Sequence, residues 1–167
     1  VGWKNSGKTT LTERLVSELT ARGLTMSMVK HTHHNVDVDR SGTDSYRHRR
    51  AGAQEVMLAG GSRFALMHEY RSQPEFELDE LLNRMAPCDL VLVEGFKKTP
   101  IPKLEVRRAK RQTSVLAEED SSIVAVASDY EISGLDIPVF NLNDIPSIAD
   151  FIWKYVHDRN STATASK

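Results

Sequence analysis

The sequence predicts an α/β fold three layers deep, with a mostly parallel sheet and a β-hairpin extension, and three observations carry the prediction. Two apolar runs, Leu90-Val91-Leu92-Val93 and Ile123-Val124-Ala125-Val126-Ala127, have the length and composition of strands buried on both faces, as in a parallel sheet flanked by helices. Helical patterns alternate with the strand patterns along the chain, which is how doubly wound α/β proteins are written. At 167 residues, 40% apolar, with a formal net charge of -1, the chain has the size and balance of one soluble domain with a real core.

From Lys8 to Ala21, Leu11, Leu15, Val16 and Leu19 recur at helical spacing, and Gly23 follows where a left-handed residue ends a helix. Leu24 to Lys30 alternates loosely and predicts a strand, feeding a polar loop from His31 to Asp39. Asp44 to Ala53 predicts a short charged helix, with His48 and its arginine neighbours Arg47, Arg49 and Arg50 on a solvated face. Glu55 to Ala59 and Arg63 to Glu69 form a hairpin across Gly60-Gly61. A helix then carries Phe76, Leu78, Leu81, Leu82 and Met85 up to Pro87, ahead of the strand Asp89 to Val93.

Lys97 to Arg111 predicts a basic linker, and its run Arg107-Arg108-Ala109-Lys110-Arg111 a solvated loop or an anion contact. After the strand at Ile123 to Ala127 comes a short one at Pro138 to Phe140. Ile145, Ile148, Ala149, Ile152, Tyr155 and Val156 then stripe a last helix, with Pro146 tolerated in its first turn. A single domain is expected over residues 1–158, and a disordered polar tail over 159–167.

Near-neutral charge argues against a nucleic-acid partner. Cys88 is the only cysteine, so no intramolecular disulfide forms and a core position in a reducing compartment is expected. No stretch approaches the roughly 18 apolar residues of a membrane span, and no leader precedes the first motif. The expected location is the cytoplasm, with no membrane partner.

Gly2 to Thr9 fits G-x-x-x-x-G-K-[ST], the phosphate-binding P-loop, and makes the fold P-loop NTPase-like. Glycines let the backbone N–H groups of Gly2, Asn5, Ser6, Gly7, Lys8, Thr9 and Thr10 turn inward on phosphate oxygens. Lys8 is expected against the outer phosphates and Thr9 on magnesium, with the helix N-terminus adding its dipole. Four such positions coincide by chance in roughly one chain in a hundred of this length. Such a loop should hang from a buried strand, yet only Val1 stands before Gly2, so the first strand is read as missing before Val1.

Glu94, ending the strand Asp89 to Val93, is placed as a Walker B carboxylate that holds magnesium through water, or as a solvent-facing strand terminus. Asp37 or Asp39, in a loop after another strand, completes the metal's shell or steers a water. Lys8, Asp39 and Glu94 are thus the candidate catalytic groups, and Thr9, Asp37, Asp39 and Glu94 the candidate metal ligands. His31, His33 and His34 are read as substrate or phosphate contacts, with structural and metal-binding alternatives. Ser128-Asp129 directly follows a strand, where GTP-binding relatives of such folds place an Asp that accepts two hydrogen bonds from guanine; a plain turn is the other reading. Asn141 and Asn143 are further possible base contacts, and no obvious arginine finger is found.

With these residues assembled, the chain resembles the molybdopterin-guanine dinucleotide biosynthesis protein B (MobB) family. The likeness rests on GWKNSGKTTL, VKHTHHNVDVDRSGTDSYRHRRAGA, DLVLVEGFK, VAVASD and LNDIPSIADFI, which together span residue 1 to about residue 157. It implies a homodimeric GTP-binding protein with weak GTPase activity and magnesium, assisting the molybdenum cofactor guanylyltransferase that joins GMP to molybdopterin. It also aligns Glu94-Gly95-Phe96-Lys97 with the Walker B region, Asp129 with the base site, and Lys30 and the His31 to Ser45 loop with the nucleotide. The alternatives are a metal-delivery GTPase of related fold with the histidine loop as cargo site, and an ATP-using phosphotransferase or ligase.

Overall fold

Helix α1, Lys8–Ala21, forms because Leu11, Leu15 and Leu19 fall on one face, where all three are buried. Each contributes about 2 kcal/mol relative to exposure. Gly23 then takes φ 93°, which turns the chain into β1, Met26–Lys30.

The computed structural model describes residues 1–32, 36–110 and 113–164, of which 159–164 are described as helical backbone alone. The chain forms two compact units, one of Val1–His31 with Pro87–Lys167 and one of Thr32–Ala86.

In the first unit β1 pairs in parallel with β4, Leu90–Glu94, placing Met26 opposite Leu90 and Lys30 opposite Glu94. A second parallel sheet comprises Lys103–Arg107, Ile123–Ser128 and Val139–Asn141, in that order across the sheet. Helix Ile145–Thr164 closes the unit. Its Ile145, Ile148 and Ala149 join Leu11, Leu15 and Leu19 of α1 and Val106 and Ala127 of the sheet in one apolar core. The helical backbone runs on to Thr164, past residue 158 where a disordered tail was expected to begin, and residues 165–167 lie outside the described residues.

Lys103–Arg107 corrects the linker expectation. Its Lys103, Glu105 and Arg107 are all buried on one face, while Leu104 and Val106 on the other pack into the apolar core. Val1 lies beside this strand: its amino nitrogen donates to the Leu104 carbonyl at 2.7 Å and its carbonyl accepts from the Val106 N–H at 3.0 Å. That is the pairing a strand residue ahead of the loop makes. Two further expectations differ. Leu90–Glu94 is half-buried throughout rather than buried on both faces, and Cys88 is half-buried rather than in the core.

In the second unit, α2, Asp44–Ala51, starts at Thr43, whose hydroxyl accepts from the Tyr46 N–H at 3.4 Å, and stops at Gly52 with φ 121°. Strands β2, Glu55–Ala59, and β3, Phe64–His68, form the expected antiparallel hairpin. Met57, Leu58, Phe64 and Leu66 are exposed on it. Helix α3, Leu78–Leu82, is shorter than the apolar pattern from Phe76 to Met85. A capping box between Glu77 and Glu80 fixes its start. Phe76, left outside the helix, packs against His68 and Tyr70, with the Arg84 guanidinium 3.7 Å from its ring centre. Among the described residues no helix is long and apolar enough to cross a membrane.

Candidate functional site

The loop between Val1 and α1 is held by close approaches that only its own residues permit. A Cβ on Gly2 would meet the Val106 carbonyl oxygen at 2.6 Å and Ser6 Oγ at 2.8 Å, and Gly2, Asn5 and Gly7 all have positive φ, at 142°, 63° and 91°. The Ser6 N–H closes the turn onto the Trp3 carbonyl at 3.2 Å, and Lys8 Nζ folds back to the same oxygen at 2.7 Å. Burial pushes the Lys8 ammonium below its ordinary pKa, Glu94 opposes that, and Lys97 and Lys30 add to the lowering.

This arrangement suits an anion. Gly7, as N-cap, offers no side-chain acceptor, and the first turn of α1 holds no acidic residue. The first N–H groups of a helix have no intrahelical acceptor, and they sit at the positive end of its dipole. Ser6 is 2% exposed, and its Oγ is unpartnered among the described residues. A phosphate chain matches these donors in sign and chemistry. Asn5, Thr9 and Thr10 stand exposed on the same loop and first turn.

Glu94 comes to this loop at the end of β4. The Thr9 hydroxyl faces its Oε1 at 3.4 Å, and Lys30 Nζ lies 3.8 Å from its Oε2. A hydroxyl and a carboxylate together are ligands that a hard divalent cation takes. Next to it, Gly95 has φ 118°, and a Cβ there would meet His31 Cβ at 2.6 Å, so the ends of β1 and β4 are pressed together. His31 donates its N–H to the Glu94 carbonyl at 2.7 Å and sets its ring 4.8 Å from that of Phe96. Lys97 is exposed with its ammonium 6.0 Å from the Trp3 ring centre.

Other candidate residues are differently engaged. Asp129 is exposed, but its Oδ1 accepts the Ala109 N–H at 2.7 Å, and a guanine paired with both oxygens would have to displace that bond. Ser128 is buried, and its hydroxyl donates to the Tyr130 carbonyl at 2.8 Å while accepting the Tyr130 N–H at 3.1 Å, so it holds a turn. Asn141 and Asn143 build the turn into the last helix, where the Asn143 N–H bonds Asn141 Oδ1 at 2.9 Å and Arg14 grips Asn143.

Asp37 and Asp39 belong to the unit Thr32–Ala86, whereas Lys8, Thr9 and Glu94 belong to the other. Asp39 Oδ1 accepts from the Arg40 N–H, Thr43 Oγ1 and Ser45 Oγ, each at 3.0 Å, and Oδ2 from Arg49 Nε at 3.3 Å. Desolvation raises its pKa, but these hydrogen bonds, led by those of Ser45 and Thr43, outweigh it and hold the carboxyl below the ordinary range. Arg49 Nη2 also takes Asp37 at 2.7 Å, and its Nη1 takes Glu69. Arg49 therefore leaves the solvated face on which its exposed neighbours Arg47, His48 and Arg50 stand. A cation on Asp37 or Asp39 would have to displace Arg49. His33 and His34 lie outside the described residues, and among those described no group of three His, Cys, Asp or Glu side chains is placed to hold a metal.

Sequence reasoning did not single out Glu105, and it read Arg108 only as part of a basic run that forms a solvated loop or touches an anion. Glu105, fully buried, pairs with Arg107 at 2.7 Å. Arg108 lies against Gly7, where a Cβ would meet its Nε at 2.6 Å. The available signal was the alternation of Leu104 and Val106 with charged residues, a period of two that marks a strand.

Residues 1–129 match the family described as Molybdopterin guanine dinucleotide synthesis protein B. The chain is similar to the molybdopterin-guanine dinucleotide biosynthesis adapter protein of Haemophilus influenzae, at 44% identity over 93% of this chain and 86% of that one. It is likewise similar to the adapter protein of Escherichia coli, at 40% identity over 95% and 91%. In three dimensions it resembles a crystal structure of molybdopterin-guanine biosynthesis protein B, with TM-score 0.72, 27% identity and coverage of 92% and 95%. It also resembles the crystal structure of Bacillus subtilis MobB, with TM-score 0.71, 26% identity and coverage of 92% and 93%.

Proposed function

Because the chain belongs to the MobB family of molybdopterin guanine dinucleotide synthesis proteins, we propose that it binds GTP and magnesium at the Gly2–Thr9 loop. In this reading it is a homodimeric cytoplasmic adapter with weak GTPase activity, serving the guanylyltransferase that joins GMP to molybdopterin. Its role in molybdopterin guanine dinucleotide synthesis is supported by the adapter proteins it resembles.

The nucleotide is supported above all by the loop itself, an anion-shaped set of donors with a buried, unpartnered Ser6 Oγ and a hydroxyl–carboxylate pair beside it. The N–H groups of the first turn of α1 bind phosphate oxygens, and Lys8 leaves the Trp3 carbonyl for the outer phosphates. Thr9 and Glu94 hold the magnesium, which when bound neutralises charge on the phosphate oxygens. Asp129 exchanges the Ala109 N–H for the guanine edge. Dimerisation is supported by the hairpin β2–β3, which exposes Met57, Leu58, Phe64 and Leu66.

Calorimetric titration with GTP and ATP, with and without magnesium, tests this. GTP is expected to bind more tightly than ATP, and magnesium to strengthen it. Lys8→Ala is expected to weaken GTP by about a hundredfold, the loss of a charge-assisted contact, with its thermal unfolding unchanged. A wild-type chain that takes up no GTP overturns the reading.

A further inference from the structure

Arg108 follows the last residue of the strand Lys103–Arg107 and brings its guanidinium against the phosphate loop. A Cβ built on Gly7 would stand 2.6 Å from Arg108 Nε, 3.0 Å from Nη2 and 3.2 Å from Cζ, so a side chain at that loop residue would evict the guanidinium. Its Nε is buried and has no hydrogen-bond partner among the described residues, and no carboxylate among them pairs with it. A buried N–H of a permanent cation without an acceptor is costly. The surroundings add to the cost, because the positive end of α1 begins at Gly7, against which Arg108 lies, and the first turn of α1 holds no acidic residue to offset it. Two positive features, the Arg108 guanidinium and the helix N-terminus, thus meet at one glycine. Glu94, the carboxylate at the loop, faces Thr9 and Lys30, and what Arg108 lacks is acceptor oxygens, in a geometry that a planar guanidinium grips better than an ammonium does.

We propose that Arg108 is a phosphate ligand supplied in cis, its guanidinium closing over the nucleotide's phosphate chain at Gly7. The proposal rests on the nucleotide reading above and adds a contact from the basic segment, outside the Gly2–Thr9 motif. Arg108 then completes the loop: Nε and an Nη donate to phosphate oxygens, and the unmet buried donor is satisfied only when the nucleotide is present. Because the contact is to phosphate rather than base, its contribution grows along the series GMP, GDP, GTP.

The test is calorimetry of GMP, GDP and GTP on the wild-type chain, Arg108→Ala, Arg108→Lys and, as a control, Lys8→Ala. Arg108→Ala is expected to weaken GTP by about ten- to a hundredfold, GDP by less and GMP little, and Arg108→Lys to recover part of the loss. In the wild-type chain, the Nε–H NMR resonance that vanishes in Arg108→Lys is expected to shift when GTP saturates the protein, which reads the contact without depending on the alanine variant's folding. GTP affinity unchanged in Arg108→Ala but lost in Lys8→Ala overturns the role of Arg108 and leaves the nucleotide reading standing. Tighter GTP binding by Arg108→Ala also overturns it, since the guanidinium would then be a plug. An Nε–H resonance unmoved at GTP saturation overturns it as well. Absence of GTP binding by the wild-type chain removes both readings together.

Discussion

Arg107 and Arg108 are adjacent in the chain and opposite in their surroundings. Arg107 gives Nε to the Tyr130 hydroxyl, Nη1 to Glu105 and to the Ser114 carbonyl, and Nη2 to the Thr113 carbonyl, each at 2.7 Å. Glu105 in turn accepts the Leu116 N–H at 3.1 Å and the Ala117 N–H at 2.9 Å. One step further along, Arg108 Nε and Ser6 Oγ are buried with no partner among the described residues. The first region brings its own counter-groups and is finished on folding. The second brings none among the described residues, and in the reading proposed above the phosphates of a nucleotide supply them.

This contrast can be broken by deleting one member on each side. The largest expected effect is from Glu105→Ala, which strands a buried guanidinium and two backbone N–H groups. Unfolding in urea should show a loss of about 3–5 kcal/mol. A loss under 1 kcal/mol would mean that the cluster is not closed in the way described. Next comes Asp120, which accepts Lys103 Nζ at 2.8 Å. The Lys103 hydrogen bond, then that from Ser122, depresses its carboxyl pKa from 3.8 to about 2. Because the folded value is the lower one, its contribution is complete above about pH 4 and disappears as pH falls through about 2. With the carboxylate about a third exposed, screening leaves about 1 kcal/mol, and Asp120→Asn should flatten the wild-type dependence of unfolding free energy on pH in that window. Ser6→Ala is expected to do least to the free chain, between no change and about 1 kcal/mol of stabilisation, because the hydroxyl removed had no partner. Chemical denaturation checks that value, and a loss of 2 kcal/mol or more would move Ser6 into the finished region.

The same contrast explains what could be read from the amino acids. Helix α1 was legible because Leu11, Leu15 and Leu19 obey a helical period, and the loop because Gly2, Gly7, Lys8 and Thr9 sit at a spacing with one well-known physical use. Lys103–Arg107 was not, because one of its two inward faces is charged and the partners of that face, Asp120, Tyr130 and the backbone from Thr113 to Ala117, come from later in the chain. Asp37 and Asp39 looked like cation ligands because they follow a strand. Arg49 claims them both, and nothing local announces which of four neighbouring basic residues will turn inward. The last helix went further than its apolar stripe, since backbone can continue as helix after the stripe has ended.

The parallel ladder of β1 and β4 has a consequence for how the chain is made. Thr25 and Asp89, hydrogen-bonded through backbone and side chain at the head of that ladder, are 64 positions apart. Everything from Thr32 to Ala86 is synthesised in between. On a ribosome, β1 therefore emerges long before its partner exists, and its half-exposed Met28 must wait unpaired while the intervening segment appears. The ladder therefore closes only once β4 has followed the whole intervening unit, a long-range pairing that costs more loop-closure entropy than a local one.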